Sequence, residues 1–483
     1  MEVTGVDLSR PLVNQELVFA TAFVREGIPC VQPYPLPIQA LAGAKLATGC
    51  YIDPARAQEA VTILTQSHPF LQISVSRKWN SQLALIPTTS PVPVVLATIS
   101  TGADGKERSS TQCTTFASLD DAKVDALNRH WLPNEPLVRL TLVQAAGDRK
   151  ETRAFFFCGS HVICDGRSVE LLVRGFFDIL CRGNTELVCR TLKHAYHILQ
   201  ECPELLQPPS EGLLLEPTPL QADQGDSAFK PCLGKPNSQH CNKAKQTGYA
   251  VRNLTFTASE TIEILQVCRN SLGVTVNSFL VAIISRTIAL QSSYAASSAN
   301  EEVNACTCNI PIDTRRHFPE FYQSAIGNNF AGLNPVMKLS SSLKESCTHV
   351  DSLVKYHLQP HVMTKQVMSN GLAPPNNFAT IYKPLKDLVG APETYRCKPC
   401  ISNLGVVGFA TCDSLKVESS FWCGGGYPFV DVFVCIITTN GILSIDLVHL
   451  LPWYSSAETE KLAADVYHAV LQGCQDPEST STL

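Results

Sequence analysis

The chain has 483 residues, 45% of them hydrophobic and 17% charged. That length suits two or three domains, and that balance excludes an intrinsically disordered chain. A net charge of −5 with scattered Lys and Arg leaves no basic footprint for nucleic acid.

Taken in chain order, the opening "MEVTGVDLSRPLVNQ" lacks the basic-then-apolar pattern of a secretory signal. A soluble, cytoplasmic protein is expected. "DPARAQEAVTILTQSHP" predicts a helix capped by Asp53, with Pro54 in its first turn, Val61 and Leu64 on one face, and an end before Pro69. "LQISV" and "LALIP" read as short strands. Strands at 137–144 and 153–158 follow, joined by a polar turn around Gly147-Asp148. In "SVELLVRGFFDILCRG", Leu171, Leu172, Phe176, Ile179 and Leu180 recur at helical spacing, and Gly183 suits the stop.

Residues 206–248 are rich in Pro, Ser and Gly and read as a linker between residues 1–205 and 249–483. Beyond it, Thr257 and Glu260 form a capping-box signature, and Gly273 marks a helix stop. A more buried helix follows, with Val276, Phe279, Leu280, Ile283 and Ile284 on one side. Its run "SFLVAIIS" meets Arg286 well short of the roughly 18 to 20 residues of a membrane span. "CGGGYP" at 423–428 reads as a loop or bulge. "FVDVFVCIITTNGILSIDLVH" reads as a hairpin turning at Asn440-Gly441. The last helix opens at a Ser455/Glu458 capping box and ends near Gly473. Strands and helices alternate throughout, so the fold class is α/β or α+β, in two halves of similar size.

The 20 cysteines are spread through apolar segments and read as reduced core thiols. Cys397 and Cys400 form a lone CxxC, and Cys306 and Cys308 lie close together. Without a second matched pair or a spaced His pair, no metal site is expected.

Chemistry concentrates in "FFFCGSHVICDGRSVELL", residues 155–172. A strand ends at Ser160, and a helix begins after Asp165-Gly166. Between them sits His161. A neutral imidazole near its ordinary pKa of about 6.5 can take a proton from a hydroxyl or an amine. Asp165 could orient the ring, or pair with Arg139, Arg167 or Arg315 and brace the loop. Equally, His161 could close the strand while Asp165 caps the helix. No Gly-x-Ser-x-Gly elbow or phosphate-cradling loop competes with this site, and the flanking Cys158 and Cys164 have apolar neighbours.

"SHVICDGRSVELLV" resembles the His-x-x-x-Asp-Gly motif of the chloramphenicol-acetyltransferase-like superfamily, which includes alcohol acetyltransferases, polyketide-associated acyltransferases and condensation domains. "LTQSHPFLQISV", "EPLVRLTLV", "LGVTVNSFLVAIISRTIA", "NIPIDTRRHFPE" with "IGNNFAG", and "ISNLGVVG" resemble further segments of it, in the right order. The resemblance implies two similar halves with a substrate channel between them. His161 would be the general base in a transfer from an acyl-coenzyme A or carrier-bound thioester to a small alcohol, forming an ester. Asp165 would be structural, pairing with Arg315, and Gly166 would keep the channel open. Ser402 or Asn403 would approach the oxyanion or the acceptor. No cofactor beyond the thioester co-substrate, no metal and a monomeric state are implied. Nothing matches the Asp-Phe-Gly-Trp-Gly of the plant branch. Ser160 stands where condensation domains usually carry a second His. Both departures favour a stand-alone O-acyltransferase over an amide-forming condensation enzyme, and the intact His-x-x-x-Asp-Gly argues against a non-catalytic relative.

Overall fold

The protein is described by a computed structural model over residues 39–77, 83–99, 114–131, 134–146, 151–185, 195–206, 231–232, 248–291, 305–339, 341–371, 399–425, 430, 432–450 and 454–476. The N-terminal stretch, the Gly147-Asp148 turn, Cys397 and nearly all of the 206–248 linker lie outside these residues.

The first lobe runs β1 (Gln39–Leu46), α1 (Pro54–Ser67), β2 (Ile73–Arg77), β3 (Leu83–Pro87), β4 (Val94–Ile99), β5 (Thr114–Phe116), α2 (Leu119–Asn128), β6 (Val138–Ala145), β7 (Thr152–Ser160), α3 (Gly166–Arg182) and α4 (Ala195–Glu201). After β8 (Pro231–Cys232), the second lobe runs β9 (Tyr249–Phe256), α5 (Ala258–Gln266), α6 (Val276–Leu290), β10 (Ala305–Thr307), β11 (Ile310–Asp313), β12 (Phe330–Leu333), β13 (Val336–Lys338), α7 (Leu343–His357), α8 (Pro360–Gly371), β14 (Cys400–Val406), β15 (Val417–Gly425), β16 (Val432–Thr439), β17 (Ile442–Leu450) and α9 (Ser456–Gln475). The fold is mixed α/β and two-lobed.

Local chemistry explains the boundaries. The Asp53 carboxylate accepts from the Ala55 and Arg56 backbone N–H groups, so α1 starts at Pro54. Complete capping boxes open α5 at Thr257/Glu260 and α9 at Ser455/Glu458. Gly183 takes positive φ and ends α3, and Gly273 does the same after Val267–Leu272, a π-helical turn that continues α5. Asn440 and Gly441 both have positive φ, as the tight β16–β17 hairpin requires.

Two main sheets organise the lobes. The first has the order β15-β1-β7-β6-β4-β5, and the second β14-β16-β17-β9. The central strand β7 is buried on both faces, which is why "FFFC" reads as a continuous apolar run. Phe155 and Phe157 point to one face and meet Phe176 of α3. Phe156 points to the other and meets Phe421 of β15. Each such ring contributes about 1.5–3 kcal/mol by burial. The second core gathers around α6, whose Phe279, Leu280, Ile283 and Ile284 pack with β16, β17 and α9.

Two features depart from the sequence reading. Strand β15, from the second half, pairs antiparallel with β1 and so belongs to the first lobe's sheet. Cys423–Gly425 are part of that strand instead of a loop. The two glycines there make room for rings, since a Cβ at Gly424 would lie 3.1 Å from Phe433 and one at Gly425 3.2 Å from Tyr249. Helix α9 ends at Gln475, close to Gly473 as expected. A Cβ at Gly473 would come within 2.5 Å of Ile283, so this glycine serves close helix packing.

Cys50, Cys158, Cys164, Cys202, Cys268, Cys306, Cys308, Cys347, Cys400, Cys423, Cys435 and Cys474 are buried, while Cys181 and Cys412 are partly exposed. Among the described residues, no single helix is long and apolar enough to cross a membrane. One pair, Ala258–Leu272 with Val276–Leu290, passes by length and composition but bends by 97°, and α6 sits in the second core.

Candidate active site

Strand β7 lies between β1 and β6, so its end is fixed from both sides. His161 follows immediately. Its side chain is buried, at 7% exposure. The chain turns through Val162–Cys164 and enters α3 at Asp165. The Asp165 carboxylate accepts from the Ser168 backbone N–H at 2.8 Å and caps that helix.

Asp165 also pairs with an arginine. Arg315 Nη1 donates to Oδ2 at 3.0 Å and Nη2 to Oδ1 at 2.9 Å, a two-point fork. The Ser168 hydroxyl and the Asn329 backbone N–H complete the shell around the carboxylate. Arg315 in turn donates to the carbonyls of Ala325 and Gly327 and to Asp313. Capping and pairing were read as alternatives from the sequence; here one carboxylate does both. The other arginines are engaged elsewhere, Arg139 with Glu135 and Arg167 with Glu170.

The electrostatics follow from this geometry. Burial works against the Asp165 charge, but Arg315 outweighs it and holds the carboxyl below its ordinary range. Burial also dominates at His161 and lowers its pKa, with the Asp165 charge opposing. The imidazole is therefore neutral at neutral pH, the state that can accept a proton.

A residue given no role in the sequence reading touches the histidine directly. The Asn328 side chain lies 3.0 Å from His161 Nδ1 through its Oδ1. Phe330 of β12 meets the same ring edge-on at 5.9 Å between centroids. Both come from the second lobe, as does Arg315, so the loop after β7 is clasped by residues 315–330. "IGNNFAG" was noted in the sequence only as a family-like segment. Nothing local shows that its first Asn reaches a histidine 167 residues earlier.

The remaining candidates fall as follows. Gly166 opens α3, and a Cβ there would lie 2.7 Å from the indole of Trp422 on β15. That indole is anchored by its Nε1–H to the Ile436 carbonyl. Ser402 and Asn403 lie on β14, opposite Cys435 and Ile436 in register. Ser402 is buried. Asn403 Oδ1 accepts the Gly405 N–H at 2.8 Å, where the strand bulges and Gly405 takes positive φ. Burial pushes Cys158 up to about 12 and Cys164 well above the ordinary thiol range, so neither flanking cysteine presents a thiolate. Among the described residues, no three His, Cys, Asp or Glu side chains converge on one metal position.

No protein-family model matches the sequence, and no curated protein does. Solved structures do match. Polyketide synthase associated protein 5 from Mycobacterium tuberculosis aligns with a TM-score of 0.60 at 13% identity, covering 98% of each chain. The TRI3 trichothecene 15-O-acetyltransferase from Fusarium sporotrichioides aligns at 0.61 and 12%, covering 96% of this chain and 95% of that one. The first condensation domain of the calcium-dependent antibiotic synthetase aligns at 0.61 and 11%, covering 98% of each. At these identities the likeness is one of fold. The chain shares its two-lobed fold with this acetyltransferase, this condensation domain and the polyketide synthase associated protein.

Proposed function

We propose that the protein is an O-acyltransferase that moves an acyl group from a coenzyme A or carrier-bound thioester to an alcohol. The observation that carries this reading is a buried, neutral His161 at a strand end on the seam between the lobes, above an Asp165–Arg315 pair that locks its loop. His161 takes the proton of the acceptor hydroxyl as the oxygen attacks the thioester carbonyl. The tetrahedral adduct collapses, the C–S bond breaks, and the departing thiolate takes the proton back from the imidazolium. No covalent enzyme intermediate is needed. Asp165 and Arg315 act through the loop. Ser402, at the buried end of β14, is the proposed donor to the oxyanion, with Asn403 beside it. The domain division at the 206–248 linker is part of the same proposal.

The test is release of free thiol from a panel of acyl-coenzyme A donors of increasing chain length, with alcohols and amines as acceptors and mass spectrometry on the products. Acceptor-dependent release that drops by about 10²–10⁴-fold in His161→Ala is expected. Full activity in that variant removes His161 as the base. Amide products in place of esters convert the reading to a condensation enzyme.

A further inference from the structure

Cys181 and Cys412 are both partly exposed, and their side chains hydrogen-bond to each other. Cys181 lies in the last turn of α3. Cys412 lies in residues 407–416, the connection that carries the chain from β14 in the second sheet to β15 in the first. Packing seats this connection on the first lobe at both ends. Phe409 meets Phe177 edge-on at 5.4 Å between centroids, and Phe177 stands one helical turn before Cys181 on the same face of α3. At the far end, the Lys416 N–H donates to the Cys50 sulfur at 3.4 Å, and the Ala47 N–H donates to the Lys416 carbonyl at 2.9 Å. Cys412 is thereby held against the helix end that carries Cys181.

The two sulfurs are not equivalent. The Cys412 sulfur accepts from Cys181, from the Ser414 hydroxyl at 3.4 Å, and from the backbone N–H groups of Ser414 and Leu415. Two successive backbone N–H groups aimed at one atom make a cradle for negative charge. Burial works against a thiolate there, but these donors outweigh it and hold the Cys412 thiol below its ordinary range. At Cys181, burial and then the Cys412 sulfur push the thiol up to about 12. One sulfur is poised to bear charge while its neighbour keeps the proton. That is how a reactive thiol and its resolving partner divide their tasks.

We infer that Cys412 and Cys181 form an oxidation site for a hydroperoxide, closed by a disulfide between them. The Cys412 thiolate attacks the terminal oxygen of the peroxide. An S–O bond forms, the O–O bond breaks, and the alkoxide left behind takes a proton from water. Cys412 is then a sulfenic acid. Its charge is gone, and with it one of the influences that kept Cys181 protonated. The Cys181 sulfur attacks the Cys412 sulfur, the S–O bond breaks, and the hydroxide leaves as water with the Cys181 proton. Two thiols lose two electrons and the peroxide gains them; a dithiol reductant reverses the change. The disulfide joins α3, the helix that Asp165 caps, to the connection between the two sheets. Oxidation therefore staples the crossing segment to the first lobe. The site stands apart from the acyl-transfer reading and does not depend on it.

The experiment uses the full chain, reduced and then freed of reductant at pH 7. Brief treatment with iodoacetamide should alkylate Cys412 at about ten times the rate of Cys181 or more. A second sample is treated with hydrogen peroxide, its remaining thiols are blocked, and it is digested without reductant for mass spectrometry. A cross-linked peptide joining Cys181 to Cys412, lost after dithiothreitol, is expected. In Cys181→Ser the resolving thiol is gone, and dimedone should trap the sulfenic acid on Cys412. Equal alkylation of the two thiols overturns the inference. So does peroxide treatment that leaves both thiols free, or a Cys412 disulfide to another cysteine such as Cys50. Dimedone that fails to label Cys412 in folded Cys181→Ser removes it as the attacking sulfur. The alkylation rates and the peptide map need only the wild type, so a variant that does not fold leaves the inference open to refutation.

Discussion

Among the described residues, two buried ion pairs cross the seam between the lobes. Asp165 and Arg315 meet beside the candidate base, while Lys123 of α2 meets Asp446 of β17 at 2.7 Å with both side chains fully buried. At the first, the guanidinium fork and the donors around it leave both Asp165 oxygens hydrogen-bonded. At the second, Lys123 is a point charge over the Phe421 ring, shared between Asp446 and Asp120. Asn253 adds one hydrogen bond to Asp446 Oδ1. Asp446 Oδ2 has no hydrogen-bond partner among the described residues. Burial disfavours the lysine charge, but the two carboxylates outweigh it and raise its pKa, whereas burial dominates at Asp446 and raises that of its carboxyl. An arginine fork specifies geometry; a lysine supplies charge alone. The fully satisfied pair lies at the candidate active site.

The comparison can be broken most sharply at Arg315. Replacing it with Met strands a buried carboxylate, and a loss of about 3–5 kcal/mol in urea unfolding is expected, together with activity. The sign with pH follows from Asp165. Its folded pKa lies below the unfolded value of about 3.9, so its stabilisation is present above that value and is lost as pH falls through the folded pKa. Arg315→Met should abolish that acid limb.

Lys123→Met should cost less at acid pH than at alkaline pH, because the Asp446 carboxyl is already raised and sheds its charge by taking a proton. Unfolding at pH 5.5 and pH 8 checks this, and an equal loss at both would contradict it. The double replacement of Lys123 by Met and Asp446 by Leu should lie within about 1 kcal/mol of the wild type, since paired buried charges exchange for apolar groups at little cost. The same exchange at Asp165 and Arg315 should not recover, because those groups also cap α3 and hold the Asn329 N–H and the Ala325 and Gly327 carbonyls.

The smallest effect belongs to His161. Its folded pKa lies below the ordinary value of about 6.5, so stability should decline as pH falls from about 6.5 toward the folded pKa. His161→Gln should flatten that window in a pH series of urea midpoints.

Much of the frame was legible because it is local. The caps at Asp53, Thr257 and Ser455 and the Asn440-Gly441 turn depend on residues within three or four positions of one another. The His161–Asp165 segment was legible for the same reason, as a strand end followed by a helix start. Asn328 was not, because the fold alone brings it to His161. Gly424 and Gly425 were misread because a glycine that admits a neighbour's side chain looks the same in sequence as one that belongs to a loop. Trp422 over Gly166 was invisible for a related reason: its strand crosses into the other lobe.

That crossing strand also bears on how the protein is made. Gln39 of β1 pairs with Gly425 of β15, so the first sheet waits for nearly the whole polypeptide to leave the ribosome before its edge is covered. Until then β1 presents unpaired backbone groups to any other nascent strand. Yield in the cell should therefore respond to translation speed and to chaperones that shield strand edges, more than the stability of the finished fold would suggest.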